Sequence, residues 1–177
     1  MPCARVVEVR TDPPSCGAEL LQLTSFLDYQ RETLLQKADG LTDEQLAQPL
    51  PPSTLTLGGL LHHLAYVEDT WFQVRFAGLP AAPPWGAVDW AADPDHDFRT
   101  ASDVPGDELR RRYAEACARS REVVGRTDSL DQRSAQARAN GQYFDLRWVL
   151  LHMIEETARH AGHADLLREA VDGAVGD

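Results

Sequence analysis

Apolar residues recur along most of this chain at spacings of three, four and seven, the pattern of one buried stripe on an α-helix. Leu20, Leu23, Leu27 and Leu34 form the first stripe, and Gly40 ends it. Leu57, Leu60, Leu61, Leu64, Val67, Trp71 and Val74 form the second, which fades near residues 78–80. Leu109, Tyr113, Ala116, Cys117, Val123 and Val124 make the third, and a fourth begins near Asp145 and stops before Gly173. The predicted main helices are therefore 18–39, 54–77, 106–125 and 145–171. Between the first two, Thr42 and Gln45 have capping-box spacing, so a short helix should run to about Ala47. Pro49, Pro51 and Pro52 forbid its continuation.

The intervening stretches read differently. Residues 1–17, with Pro13, Pro14, Ser15 and Gly17, suggest a leader rather than a helix. Residues 79–104 are broken by prolines yet carry Trp85, Trp90 and Phe98, so this loop is expected to fold over the bundle. Residues 126–142 are polar and are expected to form another loop. The VVEV run at residues 6–9 is the one strand candidate. The prediction is a single all-α domain over residues 1–177, an antiparallel four-helix bundle with long connecting loops.

Charge narrows the partners. With 17 basic and 28 acidic residues the formal net charge is -11, which repels phosphate backbones and argues against nucleic acid. Arg110, Arg111, Arg112, Arg119 and Arg121 form the densest basic run; interspersed acids make a solvated helix face the expectation. Cys3, Cys16 and Cys117 are an odd set without CxxC, which favours a reducing compartment over a disulfide framework. Cys117 lies on an apolar stripe and reads as packing. No run of 18 apolar residues exists, and MPCARVVEVR lacks the form of a signal peptide. A cytoplasmic protein without membrane contact is expected.

The chemistry concentrates in the last helix. Glu156 and His160 are four residues apart and share a stripe with Val149, Met153, Ala164 and Leu167. Both are thus directed inward, where an uncompensated charge is costly. His63, on a stripe with Leu60, Val67 and Trp71, should face the same interior, whereas His62 is rotated about 100° toward the rim. Together these residues make a His₂Glu set that suits zinc and leaves positions for water or substrate. Nickel, iron or manganese suit the same donors. The spacing alone also admits a hydrogen-bonded core histidine and an intrahelical Glu156–His160 pair.

The segments LGGLLHHLAYVEDTW and LHMIEETARHAGHADLLRE, within residues 19–77 and 145–173, resemble the DinB-like superfamily of metal-binding four-helix bundles. The likeness is strongest to an actinobacterial branch near the thiol S-transferases and the mycothiol-dependent maleylpyruvate isomerase, and weakest in residues 79–140. It implies one metal ligand on the second helix, here His63, and two from a four-residue step on the last helix. Many members use two histidines in that step. Glu156 and His160 depart from that pattern and are similar to the isomerase, which moves the comparison toward thiol users.

What the resemblance implies is a divalent metal, most suitably zinc, and a low-molecular-weight thiol such as mycothiol attacking an electrophilic small molecule. Glu68 resembles a recurrent family acid, and Glu68 and His163 are the candidate catalytic groups. Arg168, in GHADLLRE, is a candidate for holding an anionic ligand or for pairing with Asp165. His152 extends the polar stripe. Tyr29 and Arg31 are candidate pocket walls, with solvent exposure the expectation for Arg31. A homodimer is compatible with the resemblance. Three readings stay open: a metal- and thiol-dependent transferase, a hydrolase using metal-bound water, and a non-catalytic, stress-associated metal-binding bundle.

Overall fold

The computed structural model describes residues 10–176; the VVEV run lies outside them. Local signals set the helix ends. Helix α1 spans Glu19–Ala38, and the short α2 spans Asp43–Leu46 behind a complete Thr42/Gln45 capping box. Helix α3, Leu57–Glu68, starts where the Thr56 hydroxyl accepts the Gly59 amide. The short α4 covers His96–Arg99, and α5 covers Gly106–Gly125. Helix α6, Leu146–Asp172, starts where the Asp145 side chain accepts the Trp148 amide. It ends at Gly173, whose φ of 75° is a left-handed conformation that glycine adopts without penalty.

Two elements differ from expectation. The second long helix does not stay α-helical: residues Asp69–Phe76 wind as a π-helix. In place of the polar loop at 126–142, β1 (Arg133–Ala137) and β2 (Tyr143–Asp145) form an antiparallel hairpin. Ser134 is the buried residue of β1; its hydroxyl donates to Gln136 O and accepts the Phe144 amide. A strand whose inward residue is serine has no apolar alternation, so the pattern that announces strands is missing. The hairpin packs closely on the end of the π-helical segment. A β-carbon at Gly78 (φ 71°) would lie 2.8 Å from that of Ala135.

Helices α1, α3 with its π extension, α5 and α6 make the four-helix bundle. Helix α1 packs chiefly on α6, and α3 chiefly on α5. Leu27, Leu34, Leu60, Leu64, Phe72, Tyr113, Val149 and Met153 are buried between them. Each such leucine contributes about 1.5–3 kcal/mol through area removed from water. Among the described residues no helix is long and apolar enough to cross a membrane.

The core also holds charge. Arg31, expected in solvent, is 3% exposed; its Nε and Nη2 donate to the two carboxylate oxygens of Glu68 at 2.7 and 2.6 Å, and Glu68 is 0% exposed. Arg31 lies four residues after Leu27 and three before Leu34, so the helix carries it onto the buried stripe. Its partner is 37 positions away, invisible to local pattern. The basic run of α5 is likewise only partly a solvated face. Arg111 and Arg112 pair with neighbouring acids on their own helix. Arg110 pairs with Asp107 and also donates to the carbonyls of Ala38 and Leu41, and Arg119 grips Asp69 through two bonds.

Candidate metal centre

His63 on α3 faces Glu156 and His160 on α6. His63 Nε2 and His160 Nε2 each lie 3.3 Å from Glu156 Oε1, and the two imidazole rings are 5.0 Å apart, edge to face. One ligand atom from each of the three residues falls within 4.8 Å of the others. A separation of 3.3 Å is long for a direct N–H···O bond. It matches the edge of a tetrahedron whose corners sit about 2.05 Å from a shared zinc, roughly 3.3–3.4 Å. The donor set and its spacing therefore fit a divalent ion. The three side chains are 16%, 18% and 11% exposed, so the cluster is sheltered yet retains some solvent access.

The local electrostatics follow from the crowding. Burial disfavours protonating His63, but hydrogen bonds to Asp97 and Glu156 outweigh it and push its pKa up. Glu156 is held well below the usual carboxylate range by hydrogen bonds with His160 and then His63, against its burial. A carboxylate between two imidazoles favours positive charge at this point, which a cation or a proton can supply.

The outer nitrogen of His63 is committed. Its Nδ1–H donates to Asp97 Oδ2 at 2.6 Å, leaving the Nε2 lone pair directed at the cluster. A ligand histidine braced by a carboxylate is the usual support of a metal centre. Asp97 belongs to the 79–104 loop, and its Oδ1 accepts the Phe98 amide. The Phe98 ring stacks on His63 with centroids 4.4 Å apart, and Trp90 stacks on Tyr66 of α3. The loop thus covers the α3 side of the centre with its aromatics. His62, expected at the rim, is 2% exposed, and its Nδ1–H donates to the Asp97 carbonyl. Burial lowers its pKa, which keeps it neutral.

Phe98 was among the aromatics expected to fold over the bundle, but Asp97 was not singled out in the sequence. The available signal was an acid beside an aromatic in a proline-rich stretch too long to be a bare linker.

The remaining candidates lie in distinct places. His163 is next to the centre, with its Nδ1 3.3 Å from His160 Nδ1; burial, then the neighbouring His160, lowers its pKa. Glu68 is not brought to the cluster: Arg31 binds both its oxygens. Arg168 is eight residues beyond His160, about 12 Å along the helix axis. Its guanidinium donates to the carbonyls of Lys37 and Asp39 and pairs with Asp172, while Asp165 pairs with Lys37. Tyr29 lies under the Arg10 guanidinium. Cys117 is buried, and burial raises its thiol pKa far above the ordinary value.

His152 stands one helical turn before Glu156, stacked on Trp148 and edge-on to Trp71, with centroids 5.0 and 4.4 Å apart. Burial lowers its pKa, with Glu156 and Glu155 opposing and Arg75 and Arg138 adding to the effect.

Residues 22–173 match the family model described as Mycothiol-S-transferase. No curated protein matches the chain.

Proposed function

This chain belongs to the mycothiol-S-transferase family, and we propose on that premise that it is a divalent-metal-dependent enzyme transferring a low-molecular-weight thiol to an electrophilic carbon. The observation that carries this reading is the convergence of His63, Glu156 and His160 from two helices, with one ligand atom of each within 4.8 Å of the others and the side chains partly exposed. A bound divalent ion, zinc being well matched, would supply Lewis acidity that lowers a thiol's pKa and makes thiolate available near neutral pH.

The residues around that ion have separable tasks. His63, Glu156 and His160 would hold it. Asp97 orients His63 by taking its Nδ1 proton in a hydrogen bond. Phe98, stacked on His63, walls the centre with apolar surface, which limits water. His163, whose imidazole pKa is lowered by burial and then by the neighbouring His160, is the proposed acceptor of the thiol proton. Glu68 supports the bundle through Arg31. The thiolate sulfur then bonds to the electrophilic carbon of the acceptor as that carbon's π pair shifts onto the conjugated acceptor, which takes back the proton held by His163, or as a leaving group departs with its bonding pair. A reducing, cytoplasmic setting suits such a co-substrate.

The test is conjugation of small electrophiles by metal-loaded protein with mycothiol, glutathione or bacillithiol. Thiol-dependent turnover that vanishes in His160→Ala is expected. Turnover without thiol would replace this reading with hydrolysis by bound water. Metal-dependent melting without any turnover would replace it with a structural metal site.

A further inference from the structure

In a chain of net charge -11, the distribution of unpaired positive charge is informative. Among the described residues, Arg75, Arg133 and Arg138 are the arginines whose guanidinium groups meet neither a carboxylate nor another hydrogen-bond acceptor. The others are bonded, from Arg10 on the Thr33 hydroxyl to Arg168 on Asp172. These exceptions are not scattered. Arg138 lies over Phe144 and Trp148, 4.6 and 4.7 Å from their ring centroids, and Arg75 lies 4.5 Å from that of Trp71. Arg133 and Arg138 line one cavity of about 490 Å³ together with Gln142, Tyr143, Phe144 and Trp148.

Trp71, Phe144, Trp148 and His152 form one continuous ring cluster, with centroids between 4.4 and 5.3 Å apart. It leads along α6 from the cavity to His152, one turn from Glu156. The carboxylate at the cavity edge, Asp145, is engaged in accepting the Trp148 amide at 2.7 Å. Guanidinium donors without partners, beside flat apolar walls, match a flat organic anion better than any neutral ligand. A local basic patch is also what an otherwise acidic surface needs to admit an anion at all.

We infer that this cleft binds the carboxylate of a flat, unsaturated or aromatic molecule, with Arg133 and Arg138 holding the carboxylate and the Trp148–His152–Trp71 rings receiving its body. From Trp148 to Glu156 is eight residues, about 12 Å along the helix. A carboxylate of one or two rings anchored at the arginines therefore extends along the rings toward the donor cluster. That this ligand is the thiol acceptor rests on the thiol-transfer reading; the anion site does not.

The experiment is calorimetric and tryptophan-fluorescence titration with 1-naphthoate and its uncharged counterpart 1-naphthamide, on metal-loaded protein for wild type and the glutamine variant and on the metal-poor His63→Ala protein as purified. The variants are Arg133→Gln/Arg138→Gln, which removes charge from exposed side chains without shortening them greatly, and His63→Ala. Naphthoate should bind wild type about tenfold or more tighter than naphthamide. That preference should disappear in the double glutamine variant and persist in His63→Ala. Equal binding of the two probes, absence of binding, or a preference untouched by the glutamines overturns the inference. Loss in His63→Ala alone would mean that the probe sits on the metal, which also overturns it. A protein that passes while showing no thiol-dependent turnover keeps the anion site and loses the transferase reading.

Discussion

His63 and Asp97 meet at 2.6 Å, Nδ1 to Oδ2, and this contact makes an irregular loop part of the centre on α3 and α6. Without the carboxylate, either tautomer of His63 is available and its ring is free to turn. Asp97→Asn keeps the backbone carbonyl that binds His62 and removes the charge. It should weaken metal affinity by about 10- to 100-fold, read by competition with a chelator of known affinity. Unchanged affinity would leave Asp97 with a purely structural task.

The donor set makes a sharper claim about neighbouring residues. His63→Ala, Glu156→Ala and His160→Ala should each purify with little metal. His62→Ala should retain near wild-type content while losing about 1–3 kcal/mol of stability, because its buried imidazole bonds the Asp97 carbonyl. Elemental analysis and denaturant melts on the same preparations separate the two effects. Equal metal content in all four variants would rule out the ligand assignment.

Arg31 and Glu68 should behave as a pair. Removing one partner leaves a buried charge uncompensated, so Arg31→Met or Glu68→Gln should cost about 3–5 kcal/mol. Replacing both with apolar residues should recover much of the loss. If Glu68 is structural, thiol transfer per folded molecule in Arg31→Met/Glu68→Leu stays within a few-fold of wild type. A collapse of the rate with folding restored would return Glu68 to the chemistry.

Cys117 should be inert in the folded protein. Burial raises its thiol pKa, so the nucleophilic thiolate is scarcer at pH 8 than for a free cysteine. The sign for stability is the same: the native state holds this proton longer than the unfolded chain, so this contribution falls as pH rises past the ordinary thiol value. Iodoacetamide at pH 8 should label the exposed Cys16 and reach Cys117 only after denaturant is added. Rapid labelling of Cys117 without denaturant would contradict its burial.

What the sequence made legible was whatever its local patterns encode. The Thr42/Gln45 cap and the shared face of His63, Glu156 and His160 follow from spacings within one or two turns, and the structure has both. Features that depend on distant partners stayed hidden. Arg31 looked exposed because Glu68 is 37 positions away, and His62 looked peripheral because its cover comes from residue 97. The hairpin escaped because its inward residue is Ser134. The π winding of Asp69–Phe76 has no periodic signature that eight residues can display.

The two best-packed helix pairs, α1 with α6 and α3 with α5, each supply only part of the donor cluster. His63 comes from one pair and the Glu156–His160 step from the other, where contact between α3 and α6 is less extensive. A cation gripped at that point acts as a stitch across the seam between two halves. Opening the seam would release the ion, so every increment in its affinity is returned as cohesion of the whole bundle.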